Sequence, residues 1–327
     1  MSGGHGPAEL TDADVPAWWQ RLGLPGLIDI HTHFLPERML RRVWAHFDEA
    51  GPLVGRPWPI TYRTAQDQRL ATLRALGVRR FTALTYAHRP DMAADLTDFA
   101  LDLAAAEPDC VPSATFYPEE GVVGQVERAL SRGARVFKIH AQVGGFDLRE
   151  PILDPAWGLL ADAGIPVVIH VGSGPVPRHG FTGPDKLEGV LRRHPDLTAV
   201  VAHLGAPEYA EFLDLADRYP RVHLDTTMAF TDFFESVTPF PADLLPRLAD
   251  LGDRVVLGSD FPNIPYPYAH QLEALERLRD REPRLDDAWL RAVCWDNGAR
   301  LIGDGAGPSA VPLSAPSLND GSHDETL

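Results

Sequence analysis

Lysine is almost missing from this chain. Of its 30 basic residues only Lys138 and Lys186 are lysines, and 46 acidic residues leave a formal net charge of −16. No basic run exceeds two residues. Nucleic-acid binding draws most of its non-specific affinity from clustered basic groups, so this balance speaks against it. Cysteine is as scarce. Cys110 and Cys294 lie far apart, which argues against a disulfide framework and for a reducing, cytoplasmic setting. The longest apolar stretch, around Ile165 to Val171, is far short of the roughly 20 residues of a membrane span. The start, Met1 to Asp14, has neither the cationic nor the apolar part of a signal peptide. No glycine-rich dinucleotide fingerprint follows the first apolar run, which disfavours an open doubly wound sheet.

What the sequence does have is a regular alternation. Hydrophobic residues make up 44% of its 327 residues, enough for a large core. Short β-branched runs suggest strands at Leu27–His31, Arg79–Thr85, Val111–Phe116, Ala134–His140, Pro166–Val171, Leu197–His203, Val222–Asp225 and Arg254–Ser259. Helical patterns lie between them, at Gln66–Leu76, Met92–Ala106, Val122–Arg132, Pro155–Ala163, Lys186–His194, Glu208–Arg218, Ala242–Leu251 and Tyr268–Asp280. Eight such units predict an α/β fold of the (β/α)8 TIM-barrel type, with a site at the C-terminal ends of the strands. The barrel is expected over residues 15–303, between a flexible N-terminus (1–14) and a disordered C-terminal tail (304–327). Residues 34–63 break the alternation and carry Trp44, Phe47, Trp58 and Tyr62. They read either as an insertion over the active-site face or as a packing excursion.

The strand ends carry the chemistry. His31 and His33 end the first strand, Lys138 and His140 the fourth, His170 the fifth, His203 the sixth and Asp260 the eighth. Any one of these is more commonly a hydrogen-bonded core or loop residue. In a barrel, however, all the ends gather at one mouth. Residues i and i+2 of a strand face the same way, so His31 and His33 can offer two imidazoles to one ion. Imidazole and carboxylate together suit zinc and similar divalent metals, with a position left open for water.

With His31-Thr32-His33, His170, His203 and Asp260 in this order, the chain resembles the amidohydrolase superfamily. Its nearest likeness is the amidohydrolase-related branch that includes aminocarboxymuconate-semialdehyde decarboxylase. The closing Asn297-Gly298-Ala299-Arg300-Leu301 also looks like an ending common there. The resemblance implies metal ligation by His31, His33, His170 and Asp260. It gives His203 a contact with the metal-bound water or the substrate, and makes Asp260 the proton acceptor. One divalent ion, zinc first, is then expected. Two metals bridged by a carboxylated Lys138 are the alternative; otherwise Lys138 pairs with a substrate carboxylate or with Asp260. Lys138, His140 and Arg178 are candidate substrate contacts, and Asp225 and Asn263 candidates for orienting neighbours. The expected activity is hydrolysis of a small-molecule amide, lactone or ester. A metal-dependent non-oxidative decarboxylase (a lyase) is the alternative, and hydration of a substrate a third chemistry. A barrel without activity would be expected to lack ligands, yet all four positions are filled. A small-molecule substrate, no nucleic acid, no membrane and a homodimer complete the expectations.

Overall fold

The computed structural model describes residues 10–51, 55–174 and 180–304. Among them nine short strands follow one another: β1 (Leu27–Asp29), β2 (Val78–Thr82), β3 (Cys110–Val111), β4 (Ser113–Thr115), β5 (Val136–His140), β6 (Val167–His170), β7 (Ala199–Val201), β8 (Val222–Asp225) and β9 (Val255–Val256). All pairings are parallel, in the orders β1-β2-β3 and β4 through β9. β3 and β4 are one run broken at Pro112, which has no N–H to give to a ladder. Counted as one, they make eight strands. The ring closes past the ends of the ladders, where Ile30 N–H donates to Leu257 O at 3.0 Å. This is the expected TIM barrel, with strands shorter than the apolar runs that encode them.

The pleat sorts side chains between two layers. Val136, Val168, Val200 and Val256 join Ile28 and Val111 in a cluster inside the barrel. Their strand neighbours Phe137, Ile139, Val167, Ile169 and Val201 pack outward with residues of the surrounding helices, including Leu160, Trp157 and Leu213. Each such buried side chain contributes about 1.5–3 kcal/mol. The helix Gln66–Leu76 shows how the outer layer is punctuated. It ends at Gly77 in the left-handed region (φ 81°), and a Cβ there would lie 2.5 Å from the Trp19 indole nitrogen. That indole N–H donates to Leu76 O at 3.1 Å.

Several boundaries differ from the sequence expectation. Asp12–Asp14 is a 3-10 turn rather than part of a flexible start, and Asp12 accepts hydrogen bonds from Tyr62 Oη and Ala269 N–H. Asp304, expected as the first residue of the tail, is paired with Arg80 and Arg135. The rest of the expected tail and residues 1–9 lie outside the described residues. The expected helix 242–251 is a 3-10 turn, Ala242–Leu244, followed by a helix Leu245–Asp250 that has Pro246 in its first turn. Within 34–63 a helix forms at Glu37–Asp48, burying Leu40 and Trp44. No helix among the described residues is long and apolar enough to cross a membrane.

Candidate metal centre and cavity

The two histidines of the first motif do not converge for the reason their spacing suggests. β1 ends at Asp29, and the chain bends at Ile30. Ile28 and Ile30 both point into the barrel cluster, so strand alternation alone would send His31 outward. The bend turns His31 and His33 onto the mouth instead. Each is then locked from behind. His31 Nδ1–H donates to Asp225 Oδ2 at 2.8 Å, and His33 Nδ1–H donates to Leu84 O at 2.8 Å. A carbonyl oxygen only accepts, which fixes the proton of His33 on Nδ1 and leaves Nε2 with its lone pair.

Both Nε2 atoms face Asp260. Its Oδ1 lies 2.9 Å from His33 Nε2 and 3.6 Å from His31 Nε2. The three ligand atoms lie within 4.8 Å of one another. Two lone pairs facing a carboxylate are mutually repulsive unless a shared cation sits among them. The buried His–His–Asp set, with outer hydrogen bonds fixing both rings, therefore fits a divalent metal. Asp260 itself has a left-handed backbone (φ 72°), held by its N–H donating to His31 O at 2.9 Å.

β5 and β6 supply the neighbouring groups. Alternation puts Lys138 and His140 on the barrel interior with Val136, and the register pairs His140 with His170. The two rings stack at 3.8 Å between centroids. His170 Nε2–H donates to Gly174 O at 3.4 Å. His170 is thus beside the convergent trio, not among it. Lys138 Nζ lies 3.1 Å from His31 Nε2, on the lone pair a metal would use. It makes no ion pair with Asp260, the protein partner expected for it. Arg178 lies outside the described residues.

His203 follows β7 with φ 54°, an unusual backbone for a residue with a side chain. Asp225 holds it there by accepting its N–H at 2.8 Å, and its ring Nδ1–H donates to Thr227 O at 3.1 Å. One carboxylate, Asp225, therefore orients both His31 and His203. Asp29 serves beneath, accepting from Ser259 Oγ at 2.6 Å, Tyr268 Oη at 2.9 Å and the His31 N–H at 3.2 Å.

Burial and charge set the protonation of this cluster. Burial, then the Lys138 charge, pushes His31 down to about 4, against the pull of Asp225 and Asp260. Burial lowers Lys138 to about 8 and lowers His203, and both lose part of that shift to the two carboxylates. Burial also carries His140 and His170 well below the usual imidazole range. For Asp260 burial acts upward. The close approach of His33, with His31 and His203 beside it, overcomes it and holds the carboxyl well below the carboxylate range. Burial raises Asp29 to about 7.

His31, His33, Lys138, His140, His170, His203 and Asp260 form the floor of a cavity of about 790 Å³. Its walls include Met39, Phe47 and Trp58 from the 34–63 segment, together with Phe233, Phe234 and Tyr86. Tyr86 escaped the sequence reading. It stands against His33 and His140, with centroids 5.9 and 5.1 Å away, and its position just past β2 was the available signal.

Comparison with known proteins agrees with this architecture. The family model described as amidohydrolase matches residues 28–303. No curated protein matches the chain. Among solved structures, an uncharacterised TIM-barrel protein from Bordetella bronchiseptica superposes with a TM-score of 0.68 at 20% identity, covering 85% of this chain and 98% of the other. An amidohydrolase from Burkholderia multivorans with bound zinc gives 0.58 at 18% identity, with 85% and 99% covered. A 5-carboxyvanillate decarboxylase from Sphingomonas paucimobilis gives 0.57 at 16%, with 86% and 99% covered. At these identities the structural likeness speaks for the fold. The family model spans most of the chain, and the chain belongs to the amidohydrolase family.

Proposed function

We propose that this protein is a metal-dependent hydrolase that opens an amide, lactone or ester bond of a small molecule. The observation that carries this reading is the convergence of His31 Nε2, His33 Nε2 and Asp260 Oδ1 on one point of the cavity floor. His31, His33 and Asp260 would hold the ion, with His170 the nearby candidate for a fourth ligand. A bound zinc-type ion supplies Lewis acidity and a water with a pKa near 7. Zinc is the first choice for two imidazoles and a carboxylate, and the same donors bind other divalent ions.

The chain's own groups supply the remaining steps. Asp260, ionised and at the floor, accepts the proton of the attacking water and passes it to the departing nitrogen or oxygen. With Nδ1–H given to Thr227 O and its pKa lowered by burial, His203 is neutral and presents Nε2 as an acceptor. That suits it to holding the water in line rather than to polarising a carbonyl. The aromatic walls exclude bulk water and strengthen these interactions.

A second reading, a metal-dependent decarboxylase, draws on Lys138. Its ammonium lies beside a ligand nitrogen and suits a substrate carboxylate there. One experiment separates the readings. Metal content is measured by mass spectrometry on wild type, Asp260→Ala and Lys138→Ala, alongside ester and lactone hydrolysis and carbon dioxide release from aromatic acids. About one zinc per chain, lost in Asp260→Ala and kept in Lys138→Ala, with zinc-dependent hydrolysis, supports the proposal. Carbon dioxide release without hydrolysis moves the protein to the lyases. Near two ions, falling with Lys138, points to a bridging carboxylated lysine. A chain that takes up no metal ends both readings.

A further inference from the structure

The helix Glu37–Asp48 carries Arg38, Arg41 and Arg42, and treats them differently. Arg41 is paired with Glu37 at 3.1 Å. Arg38 and Arg42, four residues apart on one face, line the cavity with Met39, Val43 and Phe47. Neither has a hydrogen bond or ion pair to any described residue. Arg89, in the loop after β2, lines the same cavity and also lacks an ion pair.

Many other arginines of the chain are paired. With a net charge of −16, carboxylates are plentiful, and they hold arginines elsewhere on the surface. Arg63 pairs with Asp48 at 2.6 Å, Arg128 with Asp98 at 3.0 Å and Arg247 with Asp217 at 2.6 Å. Besides Asp260 at the floor, Asp91 and Asp95 line the cavity, yet neither is ion-paired with these arginines. The free guanidinium groups keep their full complement of planar, paired donors, the geometry that matches a carboxylate or phosphate.

Position adds a second constraint. Arg38 and Arg42 belong to the segment over the cavity, whereas His31, His33 and Asp260 come from strand ends at its floor. The same cavity has an apolar, aromatic wall that includes Phe47, Trp58 and Phe234. A volume of about 790 Å³ suits a small organic ligand in contact with both sets of residues. We propose that the cavity takes an organic acid with an apolar, ring-bearing body, whose anionic oxygen group is bound by Arg38 and Arg42 while its other end meets the histidines. The inference rests on reading the cavity as the substrate site and adds the substrate's charge and its orientation.

The test is calorimetric binding of biphenyl-4-carboxylate, biphenyl-4-carboxamide and biphenyl-4-yl phosphate to the full-length chain, both stripped of metal by chelator and reconstituted with zinc. The anions should bind about tenfold tighter than the amide in both forms. Arg38→Gln/Arg42→Gln should reduce that preference to about twofold or less without weakening the amide, and Arg41→Gln should keep it. A larger gain for the phosphate ester than for the carboxylate supports the site and makes its anion a phosphate. The proposal is overturned if wild type shows no preference, if the preference survives the double substitution, or if it appears only with zinc. Metal content and ester hydrolysis of the double variant are read separately. A chain that shows the preference but holds no metal keeps this inference and loses the hydrolase reading.

Discussion

Asn263 Oδ1 accepts the Trp44 indole N–H at 3.1 Å, and this bond ties the segment over the cavity to the turn that carries Asp260. The same residue's carbonyl accepts the Trp58 indole N–H at 2.7 Å, and its own N–H donates to Asp260 O at 2.9 Å. Trp44 and Asn263 are both buried, so an unmatched indole N–H would cost about 1–3 kcal/mol. Asn263→Ala should lower the Tm accordingly and speed hydrogen exchange across residues 37–48, while Asn263→Asp, which keeps an acceptor oxygen, should restore most of the protection. Unchanged exchange in Asn263→Ala would show that the segment is held by its apolar contacts alone.

Asp225 should matter to metal binding without touching the metal. It fixes the tautomer of His31 and the backbone of His203. Losing an outer partner of this kind typically costs about 10–100-fold in metal affinity. Asp225→Asn is expected to fall in that range in a competition titration with a zinc chelator. An affinity equal to wild type would mean that packing alone orients the His31 ring.

Gly258 leaves room for the ligand set. A Cβ at this position would sit 2.2 Å from Thr227 Oγ1 and 2.8 Å from His31 Cβ. Gly258→Ala should therefore destabilise by about 1–3 kcal/mol through overpacking. It should also weaken zinc binding by displacing His31. A Tm loss with metal affinity intact would place the strain on Thr227 only.

Acid stability carries one signature outside the metal centre. Burial, with help from Arg254, lowers His223 to about 4, from the ordinary value of 6.5. The folded chain refuses a proton that the unfolded chain accepts between those values. His223 thus makes no difference to stability above pH 6.5, and its cost grows as the pH falls towards 4. On chelated protein, His223→Gln should flatten the decline of Tm across that window by the equivalent of about 2 kcal/mol. Parallel profiles for the two proteins would rule out His223 as a source of acid lability.

The sequence alone determined the framework. Strand alternation is a local property with a period of two, so the run from Val136 to His140 already put Lys138 and His140 on the face of Val136. The order of strand-end histidines and Asp260 likewise marked the mouth, because parallel strands bring like ends together. Tertiary structure decided the rest. The bend at Ile30 overrides the pleat and turns His31 and His33 inward. The left-handed backbones of His203 and Asp260 depend on hydrogen bonds to Asp225 and His31, which are distant in sequence. His170 beside the trio, Lys138 on the His31 lone pair, and Arg38 and Arg42 left free at the cavity are likewise relations between separate elements. Local periodicity says which face a residue takes; only the packing of those elements fixes which atoms meet.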